Sequence, residues 1–246
     1  MPDFRADLYR RYVSTFKKED LERLAEADSS YFRYCDYKYR PIFDVLPRSA
    51  AILELGCGSG RMMRYLHSLG FSKVKGVDLS NEQIELALVS GLDAEAGDIF
   101  EFLKTNRDPY DAVVAIDCLE HFTKDELMAL APLIHGTLNP GGILVIQTPN
   151  GEGLFCRQVI YGDLTHCTVL TPSSLQQLLS LTDFGEFRFF ETGPVPGKLS
   201  GLARVALWGG LKALANCVRM IEAHKHQSLW TENMICVCSR SQSPLG

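Results

Sequence analysis

The feature that most restricts how this chain folds is a junction. Ala51-Ile-Leu-Glu-Leu55, an apolar run of strand length, opens onto Gly56-Cys57-Gly58-Ser59-Gly60, and a segment of helical periodicity follows. A glycine turn between a strand end and a helix start predicts a βα unit. The three glycines leave room where a ligand would otherwise meet Cβ atoms, and unpaired N–H groups at the helix start favour negative charge.

The same alternation runs on through the chain. Strands are predicted at residues 51–55, 73–77, 93–96, 112–116, 143–147, 187–191 and 234–239, and helices at 60–69, 82–88, 124–138 and 173–181. Asn139-Pro-Gly-Gly142 reads as a helix stop and turn. Strands interleaved with helices specify an α/β fold, a mostly parallel sheet with helices on both faces. A chain of 246 residues with 46% hydrophobic content suffices for one such domain. Its eight cysteines include no CxxC pair and no Cys/His spacing of a zinc site, so they read as small apolar residues and no metal is implied. Cys236 and Cys238 alternate within an apolar run, which puts both on one face of a strand. A net charge of −5 gives no electrostatic reason to expect nucleic acid. The start, MPDFRADLYRRYV, scatters charges where an export signal needs an apolar run, so a cytoplasmic protein is expected.

The turn excludes two nucleotide motifs. Position 61 is Arg and position 63 is Met, so G-x-G-x-x-G fails in either register, and no Gly-Lys-Ser/Thr follows to make a P-loop. Asp78 ends the second strand twenty residues after Gly58, where an acidic side chain in such a unit accepts hydrogen bonds from ribose hydroxyls. Asp98 and Ile99 follow the third strand, a carboxylate beside an apolar side chain that suits an adenine amine and ring. Asp117-Cys-Leu-Glu-His121 follows the fourth. All lie at strand carboxyl ends, the edge where open α/β sheets bind ligands.

Taken in order, ELGCGSG, VDLS, GDI and DCLEH resemble the class I S-adenosylmethionine (SAM)-dependent methyltransferases over roughly residues 31–150. The resemblance implies a Rossmann-like seven-stranded sheet with the last strand antiparallel and SAM as cofactor. It assigns Glu54, Gly56, Cys57, Gly58 and Gly60 to the methionine end, Asp78 and Leu79 to the ribose, Asp98 and Ile99 to the adenine, and Asp117 to Leu119 to the rear wall. Within this frame residues 1–48 form an N-terminal helical segment, with a tyrosine-rich stretch at 31–40 that serves as packing or as a cofactor lid. Residues 49–192 form the core, 193–232 a helical insertion, and 233–246 the last strand and tail.

The acceptor's chemistry must come from elsewhere. Asp163-Leu-Thr-His166, then Thr171-Pro-Ser-Ser-Leu175, is similar to a subgroup that methylates ubiquinone-type compounds, cell-surface glycans and natural products. It suggests His166 as base or substrate ligand, oriented by Asp163; histidine titrates near neutrality, where a base for an acceptor hydroxyl is useful. Glu120 reads as a solvated helix start, and His121 either orients the loop or lines the site. Gln147-Thr-Pro-Asn150 lacks the terminal aromatic of an amide-clasping signature, a further argument against nucleic-acid N-methylation. The expected reaction is O-methylation of a small molecule or a lipid-linked glycan; the alternative is a SAM-binding regulatory or scaffold protein without turnover. On a helical wheel of residues 199–221, Lys198, Arg204, Lys212 and Arg219 share one sector. That segment is expected to be a lid, a dimer contact or a helix on the inner membrane surface, with the basic sector on headgroups and Trp208, Leu211 and Leu214 in the acyl boundary.

Overall fold

The computed structural model describes Leu8 and residues 21–241; the rest of the expected N-terminal segment and the end of the tail lie outside the described residues. Seven strands, β1 (Ala51–Leu55), β2 (Lys73–Asp78), β3 (Asp93–Ala96), β4 (Tyr110–Ile116), β5 (Leu138–Pro149), β6 (Phe184–Glu191) and β7 (Asn233–Arg240), form one sheet. Their order is β3-β2-β1-β4-β5-β7-β6. The pairs from β3 to β5 are parallel, and β7 runs antiparallel to both its neighbours. The order reverses between β1 and β4, which opens a crevice outside their carboxyl ends.

Side-chain alternation along the strands builds two cores. Leu53 and Leu55 join one with the helices α5 (Ile99–Thr105), α6 (Lys124–Thr137) and α8 (Pro172–Ser180). Ile52 joins the other, with α1 (Leu21–Lys38), α2 (Arg40–Phe43), α3 (Arg61–Ser68) and α4 (Asn81–Val89). Each of these strand side chains is fully buried, worth about 1.5–3 kcal/mol apiece. Met234, Cys236 and Cys238 face the first core and Ile235 and Val237 the second, so the two cysteines share a face as expected.

Side-chain caps set where the helices start. Thr123 and Glu126 form a reciprocal capping box on α6, with Thr123 N–H donating to Glu126 Oε2 at 2.7 Å; losing such a cap costs about 1 kcal/mol. Thr171 and Ser174 do the same for α8, beside Pro172 at its first position. Asp98 caps α5, which the sequence reading passed over because seven residues hold too few turns to show periodicity. Helix α6 stops at Thr137 as expected, but β5 begins at Leu138, so Asn139-Pro-Gly-Gly142 lies inside the strand and not in a turn before it: Gly141 takes φ +77° and the register against β4 shifts there.

A short helix, α7 (Arg157–Tyr161), lies in the loop after β5, and α9 (Leu199–Ala223) fills the connection between β6 and β7. None of its 25 residues is buried. The expected orientation of α9 is reversed. Lys212 Nζ meets Glu191 Oε2 at 2.6 Å, Trp208 Nε1 donates to the same oxygen at 3.4 Å, and Arg219 is half-buried. Lys212, Arg219 and Trp208 therefore turn toward the sheet, while Lys198 and Arg204 stay exposed. Outward stand Leu199, Leu202, Ala206, Ala213, Leu214 and Ile221, a face without charge. Trp208 therefore belongs to the sector of Lys212, not to the apolar sector expected, and the direction of both is set by Glu191, a partner from another element.

Candidate active site

The glycine turn is held from below. Gly56 N–H and Cys57 N–H both donate to Val77 O, and Gly58 N–H donates to Asp78 Oδ2 at 2.9 Å. The other oxygen of Asp78 accepts Ser80 N–H at 2.8 Å. Asp78 thus fixes the turn against the end of β2. Gly56 and Gly60 have φ of +71° and +80°, and a Cβ on them would stand 2.9 Å from Cys118 Sγ and 2.2 Å from Leu92 Cδ1. The room at these two glycines is taken by the protein's own side chains. At Gly58 a Cβ would meet nothing nearer than Gln83 at 3.6 Å, so the turn is open to a ligand there.

Glu54 is 3% exposed, and its Oε2 has no hydrogen-bond partner among the described residues. Burial first, and then the nearby charge of Asp78, raise its pKa well above the usual carboxylate range. A buried acceptor with no donor calls for a cationic N–H group, which the ammonium of SAM carries. Asp98 Oδ1 caps α5 through Phe100 N–H and Glu101 N–H, at 2.8 and 3.2 Å, and leaves Oδ2 for an adenine amine. Leu79 is exposed beside Asp78, and Ile99 is buried. These groups fit SAM.

Asp117 has φ +49°, and both its carboxylate oxygens accept from Gln147 Nε2, at 3.0 and 3.1 Å. Gln147 Oε1 in turn accepts Tyr39 Oη–H at 2.6 Å and Tyr34 Oη–H at 3.2 Å. The tyrosine-rich stretch is thereby bonded to the sheet edge, and the Arg61 guanidinium stacks 4.2 Å from the Tyr31 ring. Gln147 was expected as the end of the fifth strand, without a site role; a polar residue closing an apolar strand was the available signal.

Cys118 and Leu119 are buried. Glu120 is buried too, at 2% exposure, and is no solvated helix start. Thr148 Oγ1 donates to its Oε2 at 3.1 Å, and burial and then Asp117 push its pKa up. Its backbone carbonyl accepts Cys167 N–H and Thr168 N–H, which ties the segment holding His166 to the end of β4. The His121 and His166 rings meet edge to face with centroids 4.8 Å apart. His166 Nδ1 lies 3.1 Å from Ile160 O. A carbonyl only accepts, so Nδ1 carries a proton, and in the neutral ring the lone pair lies on Nε2. Asp163 Oδ1 accepts Thr165 N–H and Oγ1–H, and Thr165 Oγ1 contacts His121 Nδ1 at 2.9 Å. Burial and then His166 lower the His121 pKa to about 4, so this ring is neutral at pH 7.

Glu120, His121 and His166 present ligand atoms all within 4.8 Å of one another. The cysteine pattern gave no hint of this set, because its members are a carboxylate and two imidazoles from separate elements. Such donors suit a divalent cation.

A seven-stranded sheet with only β7 reversed, a glycine turn after β1 and acidic groups after β2 and β3 define a Rossmann-like nucleotide-binding protein. The methyltransferase-domain family profile matches residues 9–185, and the chain belongs to that family. It is 29% identical over 150 residues to the ubiquinone biosynthesis O-methyltransferase of Burkholderia orbicola (strain MC0-3), covering 53% of this chain and 62% of the relative. It is 28% identical over 122 residues to the small RNA 2'-O-methyltransferase of Schizosaccharomyces pombe (strain 972 / ATCC 24843), covering 42% and 32%. The match thus spans about three fifths of the first relative's length and a third of the second's. A SAM dependent methyltransferase from Archaeoglobus fulgidus shares the fold with a TM-score of 0.63 and 18% identity, over 84% of this chain and 94% of that one.

Proposed function

We propose that the protein is a SAM-dependent methyltransferase acting on a hydroxyl group of a small molecule or lipid-linked glycan. The carrying observation is the cluster of Glu120, His121 and His166, joined to the glycine turn through Cys118, which touches Gly56. When bound, SAM supplies a methyl group on a sulfonium that leaves readily. What the chain then owes the reaction is alignment and a place for the acceptor's proton. His166 Nε2 takes that proton, and Thr165 holds His121 beside it. Glu54, Asp78, Asp98 and the turn hold the cofactor. The test is S-adenosylhomocysteine release with a panel of hydroxylated acceptors; SAM binding without release from any of them favours the regulatory alternative.

The spacing of the three ligand atoms favours a second way to activate the hydroxyl, through a bound divalent cation that lowers its pKa. A cation would replace the proton that burial keeps on Glu120. Turnover lost in chelator and restored by Mn²⁺ or Mg²⁺ supports this route; turnover indifferent to chelator leaves His166 as the direct base.

We also propose that the outward face of α9 rests on a lipid surface, which fits a cytoplasmic enzyme at the inner membrane. No helix among the described residues is long and apolar enough to cross a membrane. Leu199, Leu202, Leu214 and Ile221 are 54–86% exposed, and Lys198, His224, Lys225 and His226 flank the helix ends in solvent. Sedimentation with anionic vesicles at low salt tests this, and a protein that stays in the supernatant ends it.

A further inference from the structure

Beneath α9 lies a cavity of about 640 Å³, within the range of small-molecule sites. Its walls include Phe155, Leu207, Trp208, Leu211 and Trp230, and Tyr34 stands at one side. Arg204 and Glu232 line it at exposed positions, while the polar groups deeper around it have partners. Glu191 accepts Trp208 Nε1–H, Lys212 Nζ–H and Trp230 N–H, and Trp230 Nε1–H donates to Gln227 O at 2.9 Å. Against Phe155, Leu207, Trp208, Leu211 and Trp230 a polar guest would leave its own groups unpaired, whereas an apolar one loses nothing there. Arg204 and Glu232 stand at the open side, where a polar head would lie. Tyr34 connects the cavity to the catalytic edge, because its hydroxyl bonds Gln147 and Gln147 bonds Asp117.

We infer that this cavity receives the hydrocarbon chain of an amphiphilic acceptor, whose hydroxyl-bearing head then lies toward Asp117 and His166. The assignment of the head rests on the O-methylation reading; the chain site does not. Hydrocarbon burial fixes selectivity by chain length, each methylene taken from water multiplying affinity by about three- to fourfold until the chain fills the cavity.

The protein's two tryptophans both line this cavity, so its indole emission reports on occupancy. The experiment titrates the full chain, without SAM, with butyl-, octyl- and dodecylglycerol below their micellar thresholds. The expected result is a saturable blue shift of emission whose midpoint falls steeply with chain length. Leu211→Glu, on a half-open helix position, should weaken dodecylglycerol at least tenfold. Ala213→Glu, on the outward face of the same helix, should leave it unchanged, and matching circular dichroism spectra establish that both variants fold. No saturable shift, or no dependence on chain length, overturns the proposal. So does loss of binding in Ala213→Glu with Leu211→Glu unaffected, which would mean that the probe coats the outer face. A protein that binds the chain but methylates no hydroxyl loses the functional reading and keeps this site; one that methylates short and long acceptors equally, with no shift, does the reverse.

Discussion

The glycine turn and helix α9 hold their places by opposite means. In the turn, backbone angles closed to most residues are matched by close neighbours: Gly60 at φ +80° faces Leu92, and Gly56 at +71° faces Cys118. Helix α9 is regular throughout, buries no residue, and is anchored by a few polar contacts, chiefly Glu191 and the Asn216–Gln227 pair. The cofactor edge is therefore specified by the local chain and tolerates little change. The acceptor side is specified by partners far away in sequence, and can vary while the sheet stays intact.

The largest expected effect lies between the two. His166→Ala should lower turnover about 10² to 10⁴-fold, the usual range for losing a general base, while calorimetric SAM affinity stays unchanged. Wild-type turnover would make the histidine a structural tie to Ile160. Next comes Gly60→Val. A branched residue at positive φ costs about 1–2 kcal/mol, and crowding Leu92 about 1–3 more, so urea unfolding should show a loss of about 3 kcal/mol. Gly91 has φ +76° but nothing within 4 Å of a Cβ, so Gly91→Val should show the strain alone. Equal losses at the two sites would deny Leu92 its part in fixing the turn.

This difference also decides what could be read from the sequence. The seven strands, their mostly parallel sheet and the glycine turn were legible because period and glycine placement are local signals. The antiparallel β7 came from family resemblance; spacing cannot show direction. Glu120 was misread because Thr148 and the 163–168 loop that bury it lie far along the chain. Asp163 closes a local turn by accepting from Thr165, two residues on, a role that its place in the sequence does not separate from orienting His166. For α9, the wheel carried no information on which sector meets Glu191.

A smaller effect separates ligand contact from support at the cofactor edge. Asp78→Ala removes the acceptor of Gly58 N–H and Ser80 N–H along with the ribose site, and should weaken SAM by about 1.5–3 kcal/mol. Asp78→Asn keeps one carbonyl oxygen and should fall between wild type and alanine. Calorimetry on folded protein reads both, and unchanged affinity in Asp78→Ala would show that the ribose lies elsewhere.

The smallest effect belongs to α9 and tests its orientation. Glu191 is partly shielded and accepts three N–H donors, from Trp208, Lys212 and Trp230. Glu191→Ala strands all three at a site only partly open to water, so thermal unfolding should show a loss of about 1–2 kcal/mol, below the full value of a buried charged bond. Hydrogen exchange should quicken along α9 before it does in β7, because the helix has no buried residue to hold it once the anchor is gone. Ala206→Gln, on the outward face, should stay within about 0.5 kcal/mol of wild type. If Ala206→Gln costs as much as Glu191→Ala, the outer face of α9 is packed against a second copy of the chain. That result would replace the lipid surface with a dimer, and a dependence of the unfolding midpoint on protein concentration would mark it.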